Sequence, residues 1–221
     1  VVRGVMREGN DVVRSRSLAS LRVIGTVGEP ISPEAWQWFH DEVGKGRCPV
    51  VDTWWQTETG GVMITAAAGC VTPRPGAACL PLPGVRATLL DTQGQVVDGA
   101  GEGLLCMAAS WPGQALSIWK DHDRFRQTYF TTCPGYYFTG DGARREADGY
   151  YWITGRVDDV VNVSGHRIGT AEIEDAVAMD HEVVESAAVG IPHDLKGQGL
   201  VVFVVPKEEG VFHPSAVNRA V

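Results

Sequence analysis

Asp52-Thr53-Trp54-Trp55-Gln56-Thr57-Glu58-Thr59-Gly60-Gly61 is the stretch on which the reading of this chain turns. It follows an apolar, strand-like segment, Pro49-Val50-Val51, and ends in paired glycines. A strand that stops at a polar loop closed by glycine is a common nucleotide site in open α/β sheets, where ligands gather at the carboxyl ends of strands. The loop combines two indole rings, two acids, three threonines and an amide. That mixture suits a planar base, phosphate oxygens and a metal ion together.

Working outward, Leu21 to Thr26 reads as a strand running into a Gly28-Glu29-Pro30 turn. Ser32-Pro33 supplies an N-cap followed by proline at the first helical position. Ala35, Trp36, Phe39 and Val43 then share one helical stripe, and Gly44 is the expected stop. With Val50-Val51 as the next strand, the order strand, helix, strand predicts a βαβ unit. From Gly69 to Met107 the pattern changes. Prolines crowd between Pro73 and Pro83, and Val85–Asp91 and Gly103–Met107 are short β-like runs separated by Gly and Asp turns. These predict a small antiparallel β subdomain. Trp119–Tyr129 reads as a charged helix. Tyr136–Thr139 and Tyr150–Thr154 read as paired strands joined at Ala147-Asp148-Gly149.

The pattern restarts after Asp158. Val160–Val163 is strand-like, Thr170 caps an amphipathic helix through Met179, and Glu185–Gly190 and Leu200–Val205 are two more strands. The expected fold class is therefore α/β, with residues 1–157 forming one domain and 158–221 opening a small α+β domain.

Composition narrows the classes. Of 221 residues, 44% are hydrophobic and 21% charged, the profile expected of a soluble globular protein. The net charge of −8 argues against general nucleic-acid binding, which wants a basic face. No apolar run reaches the length of a membrane span. The five cysteines, Cys48, Cys70, Cys79, Cys106 and Cys133, are odd in number and widely spaced. They predict free thiols in a reducing, intracellular compartment, cytosol or organelle matrix, and not a secreted disulfide frame.

Several strings together resemble the AMP-forming acyl-CoA synthetases, and within them the acetyl-CoA synthetase branch. They are Val27-Gly28-Glu29-Pro30, Asp52 to Gly61, Tyr136 to Gly142, and Gly155-Arg156-Val157-Asp158-Asp159-Val160. The last continues through Asn162-Val163-Ser164-Gly165-His166-Arg167 to Thr170-Ala171-Glu172-Ile173-Glu174. The resemblance runs end to end, and the Trp-Trp-Gln-Thr-Glu form points to the acetyl branch. It implies that residues 1–157 are the C-terminal part of a large adenylate-forming (AMP-binding) domain, a βα sheet plus a small β subdomain. Residues 158–221 would be part of its lid. It also implies a longer polypeptide, with a glycine-rich phosphate loop before Val1 and a catalytic lysine after Val221, so that this portion alone would be inactive.

By that resemblance the substrates are acetate, ATP and coenzyme A, with Mg²⁺ as the metal and AMP as a product. The nucleotide would lie against Gly28, Glu29, Pro30, Asp52, Thr53, Trp54, Trp55, Gln56, Thr57, Asp141, Arg156 and Arg167. Asp52 would accept from the adenine amine, Thr57 would donate to the α-phosphate, Asp141 would accept the ribose hydroxyls with Arg156 nearby, and Arg167 would be a permanent cation for the α-phosphate. Val27 and Trp55 would form the acetate pocket, the indole leaving room for one methyl group; each excluded methylene is worth about 1–3 kcal/mol of discrimination. Ser164 and Gly165 would meet coenzyme A. Glu58 would help to hold Mg²⁺, and a second ion would take Ala178, Asp180 and Val183, where the family often carries His in place of Asp180. Asp158 would be the hinge about which the lid turns between the two half-reactions. His166 reads as structural. Two other readings share these residues: a non-catalytic structural or regulatory relative, and a related ligase for propionate or acetoacetate.

Overall fold

The computed structural model describes residues 2–163, 166–178, 180, 182–193 and 197–206. The chain divides into two compact units, Val1–Ile153 and Thr154–Val221.

The first unit opens with two short helices, α1 (Val2–Arg7) and α2 (Asn10–Arg14). Strand β1 (Ile24–Val27) leads into α3 (Pro33–Trp38), where the Ser32 hydroxyl accepts from the Ala35 amide and Pro33 fills the first turn. The helix widens into a π turn over Phe39–Val43, closed by the Gly44 amide on the Phe39 carbonyl at 2.9 Å. Strand β2 (Val50–Trp54) returns parallel to β1, with Ile24 opposite Val50 and Val27 opposite Thr53. The βαβ unit is therefore present, around a core of Ile24, Trp36, Cys48 and Val50. Two short strands, β3 (Ile64–Thr65) and β4 (Leu80–Pro81), extend this sheet antiparallel in the order β1-β2-β3-β4.

A second sheet is an antiparallel meander of β5 (Ala87–Leu90), β6 (Gly101–Met107), β7 (Tyr137–Arg145) and β8 (Tyr151–Arg156). Helix α4 (His122–Phe130), capped by the Asp121 carboxylate on the Arg124 amide, fills the long connection from β6 to β7. The main core draws on both sheets: Trp54, Met63 and Ile64 pack with Leu89, Leu105, Met107, Tyr137 and Tyr151. The boundary between the two units falls within β8.

In the second unit β9 (Val160–Val163) and β10 (His166–Gly169) form a hairpin, and α5 (Thr170–Ala178) follows. The long hairpin of β11 (Val183–His193) and β12 (Gly197–Pro206) completes a sheet in the order β10-β9-β12-β11. Ile173 and Val177 of α5 pack on Ala188, with Leu200, Val202 and Val204 around them. The Glu174 carboxylate accepts from the Ala188 amide at 2.8 Å, which ties α5 to β11.

Three expectations need correction. Asp52, Thr53 and Trp54 are not loop: they belong to β2, with Val50, Asp52 and Trp54 alternately buried. Asp141 does not follow a strand: it lies inside β7. The helix read over Trp119–Tyr129 starts at His122, because Asp121 caps it. Helices α1 and α2 and strand β10 had no sequence expectation.

Candidate functional site

Two segments of the first unit meet at one buried carboxylate. The Trp54 indole Nε1 donates to Asp141 Oδ2 at 3.1 Å, and Gln56 Nε2 donates to the same oxygen at 3.3 Å and to the Thr139 carbonyl at 2.6 Å. Asp141 and Trp54 are 7% and 8% exposed, so the pair is internal. This contact joins positions 87 residues apart in sequence.

A bulge in β7 aims Asp141. Leu104 pairs with Gly142 and Cys106 with Phe138, so Leu105 alone faces three residues, Thr139, Gly140 and Asp141. Gly140 has φ 78°, a left-handed conformation that glycine takes without penalty. The Thr139 hydroxyl donates to the Leu105 carbonyl at 2.7 Å and accepts from the Asp141 amide at 3.1 Å. It thus satisfies backbone groups that the bulge removes from the ladder.

Asp52 is held from β1. The Thr26 hydroxyl donates to its Oδ1 at 2.7 Å and the Thr53 amide at 3.1 Å. Burial pushes the Asp52 carboxyl above its usual range, and those two donors oppose the shift. After β2, Gln56 and Thr59 close a 3₁₀ turn reciprocally: the Gln56 amide donates to the Thr59 hydroxyl, which donates to the Gln56 carbonyl at 2.7 Å. Gly60, at φ 67°, ends the turn against the backbone of Gly113.

Glu58, half-buried on this turn, accepts from the Tyr129 phenol at 2.7 Å, and its carbonyl accepts from the Ala115 amide at 2.8 Å. The Tyr129 ring stacks on Tyr137 at 5.1 Å and 6°, and the Tyr137 phenol donates to Gln56 Oε1 at 3.2 Å. Burial pushes the Tyr137 phenol up, so it stays a donor. Tyr129, Tyr137, Thr139, Thr26 and Trp111 are site residues that the sequence reading missed. Trp111 could be found only in three dimensions: its indole donates to the Thr59 carbonyl at 2.7 Å across 52 residues.

The structure brings Asp52, Trp54, Gln56, Glu58 and Asp141 into one connected region. Trp54 and Gln56 are engaged by protein groups there, which suits them to positioning. Thr57 is exposed, and Trp55 is 45% exposed. Val27, Glu29 and Pro30 line a cavity of about 590 Å³ with Val13, Trp38 and Phe39; Trp55 is not among its walls. Gly28 has φ 105°, the conformation its turn needs.

In the second unit, Arg156 Nε donates to Asp158 Oδ1 at 3.1 Å and holds that carboxyl below its usual range. Arg167 lies on β10. Ser164 and Gly165 lie outside the described residues. Ala178 ends α5, the Asp180 amide donates to the Val177 carbonyl, and the Val183 amide donates to the Asp180 carbonyl at 3.0 Å. Among the described residues no three acidic, His or Cys side chains cluster as a metal nest. A single carboxylate such as Glu58 still fits Mg²⁺, which takes one or two protein carboxylates and draws its other oxygens from phosphates and water. No helix among the described residues is long and apolar enough to cross a membrane.

This chain belongs to the AMP-binding enzyme family: the family's profile matches residues 2–114, and that of the AMP-binding enzyme C-terminal domain matches residues 172–221. Among characterised proteins it resembles acetyl-coenzyme A synthetase of Bdellovibrio bacteriovorus, with 60% identity over 206 residues, 93% of this chain and 32% of that protein. It is also 60% identical to acetyl-coenzyme A synthetase of Rhizobium rhizogenes over 203 residues, 92% of this chain and 31% of the relative. The chain thus spans about a third of the length of the curated relatives it matches. A crystal structure of an anthranilate CoA ligase in complex with anthranoyl-AMP superposes with a TM-score of 0.79 at 26% identity, over 95% of this chain and 39% of that one.

Proposed function

We propose that the polypeptide carrying this chain is an AMP-forming acetate–CoA ligase. Acetate attacks the α-phosphorus of ATP and expels pyrophosphate. The sulfur of coenzyme A then attacks the acyl carbon of acetyl-AMP, giving acetyl-CoA and AMP. The observation that carries this reading is the fastening of Trp54 and Gln56 to Asp141, which makes the Asp52–Gly61 segment and the β7 bulge one unit. Identity of 60% to relatives named for acetate supports the substrate.

Each residue has a task in this reading. Asp52, with Oδ1 held by Thr26 and Thr53, offers its carboxylate to the adenine amine beside Gly28, Glu29 and Pro30. Asp141 accepts from the ribose, with Arg156. Thr57 and Arg167 face the α-phosphate, where charge builds in both steps and fixed donors and cations lower the barrier. Val27 and Trp55 bound the methyl group of acetate. Ser164 and Gly165 receive the coenzyme A arm, and Asp158 is the hinge at the start of the lid. Mg²⁺ bound through Glu58 would neutralise phosphate charge; Ala178, Asp180 and Val183 are the proposed place of the second ion.

The test is isotope exchange between labelled pyrophosphate and ATP, run with the natural polypeptide. Exchange should require acetate, and butyrate should support it at least about tenfold less well, as two excluded methylenes imply. No acetate-dependent exchange would refute the ligase reading and favour a non-catalytic relative. Equal exchange with propionate would move the substrate by one carbon.

A further inference from the structure

The geometry points to Tyr129 as a positioning residue for the Glu58 carboxylate, one that fixes how this acid meets a nucleotide-bound cation. The inference rests on the proposed function for the existence of that cation. It concerns a residue in a different element, α4, far from the signature segment in sequence.

Three observations carry it. First, Glu58 is pinned at both ends. Its carbonyl accepts from the Ala115 amide at 2.8 Å, and its Oε1 accepts from the Tyr129 phenol at 2.7 Å. A phenol donating to a carboxylate at this length is a charge-assisted bond, stronger than a neutral pair. It occupies one carboxylate oxygen and leaves Oε2 for a cation. Second, Tyr129 cannot readily move. Its ring stacks on Tyr137 at 5.1 Å and 6°, and Phe125, one turn earlier on α4, packs against it at 5.4 Å. Trp111 meets Tyr137 edge-on at 5.2 Å and 88°, and Phe130 packs on the same ring at 5.7 Å. Third, the stack continues to the nucleotide side: the Tyr137 phenol donates to Gln56 Oε1, and Gln56 donates to Asp141. One rigid aromatic pair therefore sets the two carboxylates, Glu58 and Asp141, relative to each other. A catalytic or binding group is held within a fraction of an ångström only when a second layer locks its rotamer.

A purely structural role for Tyr129 would make no distinction between nucleotide with and without metal, so the test measures both. ATP binding to the natural polypeptide is titrated by calorimetry, once with Mg²⁺ and once with excess EDTA. Tyr129→Phe keeps the ring stack and removes the phenol oxygen. A hydrogen bond to a charged group corresponds to roughly tenfold to a hundredfold in an equilibrium. Tyr129→Phe should weaken Mg·ATP about tenfold and metal-free ATP by less than about twofold. In the Glu58→Gln background the same change should add nothing, because Tyr129 acts through Glu58. Equal weakening in both arms, no weakening in either, or a full further loss in the Glu58→Gln background would each overturn the inference. Absence of ATP binding by the unaltered polypeptide is a separate result, and it would overturn the proposed function itself.

Discussion

At the scale of single residues, buried polarity marks this molecule. Asp52 and Asp141 are among the few buried charged groups, and each is reached by at least two donors. A buried carboxylate costs free energy when ionised, so its retention calls for a reason beyond packing. Asp52 gives a test with a defined sign. Its carboxyl lies above the usual range in the folded protein, because burial outweighs the Thr26 and Thr53 donors. Its contribution to stability is therefore complete below the unfolded value, near 3.9, and is lost as pH rises through the higher folded value. Asn keeps an acceptor for both donors and removes the charge. Asp52→Asn should accordingly gain in melting temperature relative to the unaltered protein as pH is raised from about 4 towards 7. A gap that stays constant across that range would mean that Asp52 titrates as an exposed acid does.

At the scale of elements, the signature segment is a strand end, a 3₁₀ turn and a left-handed glycine, each closing the next. The paired glycines that end it are not equivalent. A Cβ on Gly60 would lie 2.1 Å from the Gly113 carbonyl oxygen, and its φ of 67° disfavours any side chain; a Cβ on Gly61 would meet nothing within 4 Å. Gly60→Ala should cost about 1–2 kcal/mol for the left-handed backbone and a further 1–3 kcal/mol for overpacking. Gly61→Ala should stay within about 1 kcal/mol of the unaltered protein. Thermal denaturation of the two variants checks this, and similar melting temperatures would refute the asymmetry. The β7 bulge works on the same principle: Gly140 provides the turn in the backbone, and Thr139 supplies the hydrogen bonds.

At the scale of the whole molecule, the boundary along the chain between the two units, after Ile153, lies a few residues before Asp158. Gly155 has φ 112°, Arg156 is hydrogen-bonded to Asp158, and the Thr170 amide donates to the Asp159 carbonyl at the start of the second unit. If Asp158 is the hinge, the two half-reactions should separate there. Proline fixes φ and removes a backbone donor. Asp158→Pro should therefore depress pyrophosphate exchange and acetyl-CoA formation by different factors, with thioester formation hit harder. Equal loss of both, in a protein whose melting temperature is unchanged, would make Asp158 an ordinary turn residue.

The sequence by itself determined the βαβ unit, the cap at Ser32-Pro33, the small antiparallel sheet and the two strands that follow α5, though not their pairing as a hairpin. These are local: apolar periodicity, turn glycines and capping side chains act over a few residues and leave their mark in order along the chain. Motif strings likewise pointed to Asp52, Glu58 and Asp141. What the sequence read as loop at Asp52–Trp54, and as lying beyond the strand at Asp141, only tertiary structure could correct, because both stretches become strand through pairing with distant partners. The residues that position the site belong to this second class. Tyr129 and Trp111 lie outside every motif string and Tyr137 was given no role within its own, and their phenols and indole find their acceptors only when α4, β7 and the connection from β6 to α4 pack on the turn after β2. A hydrogen bond between positions 71 residues apart, such as Tyr129 to Glu58, leaves no periodicity in a sequence, because its two ends are brought together by the core between them.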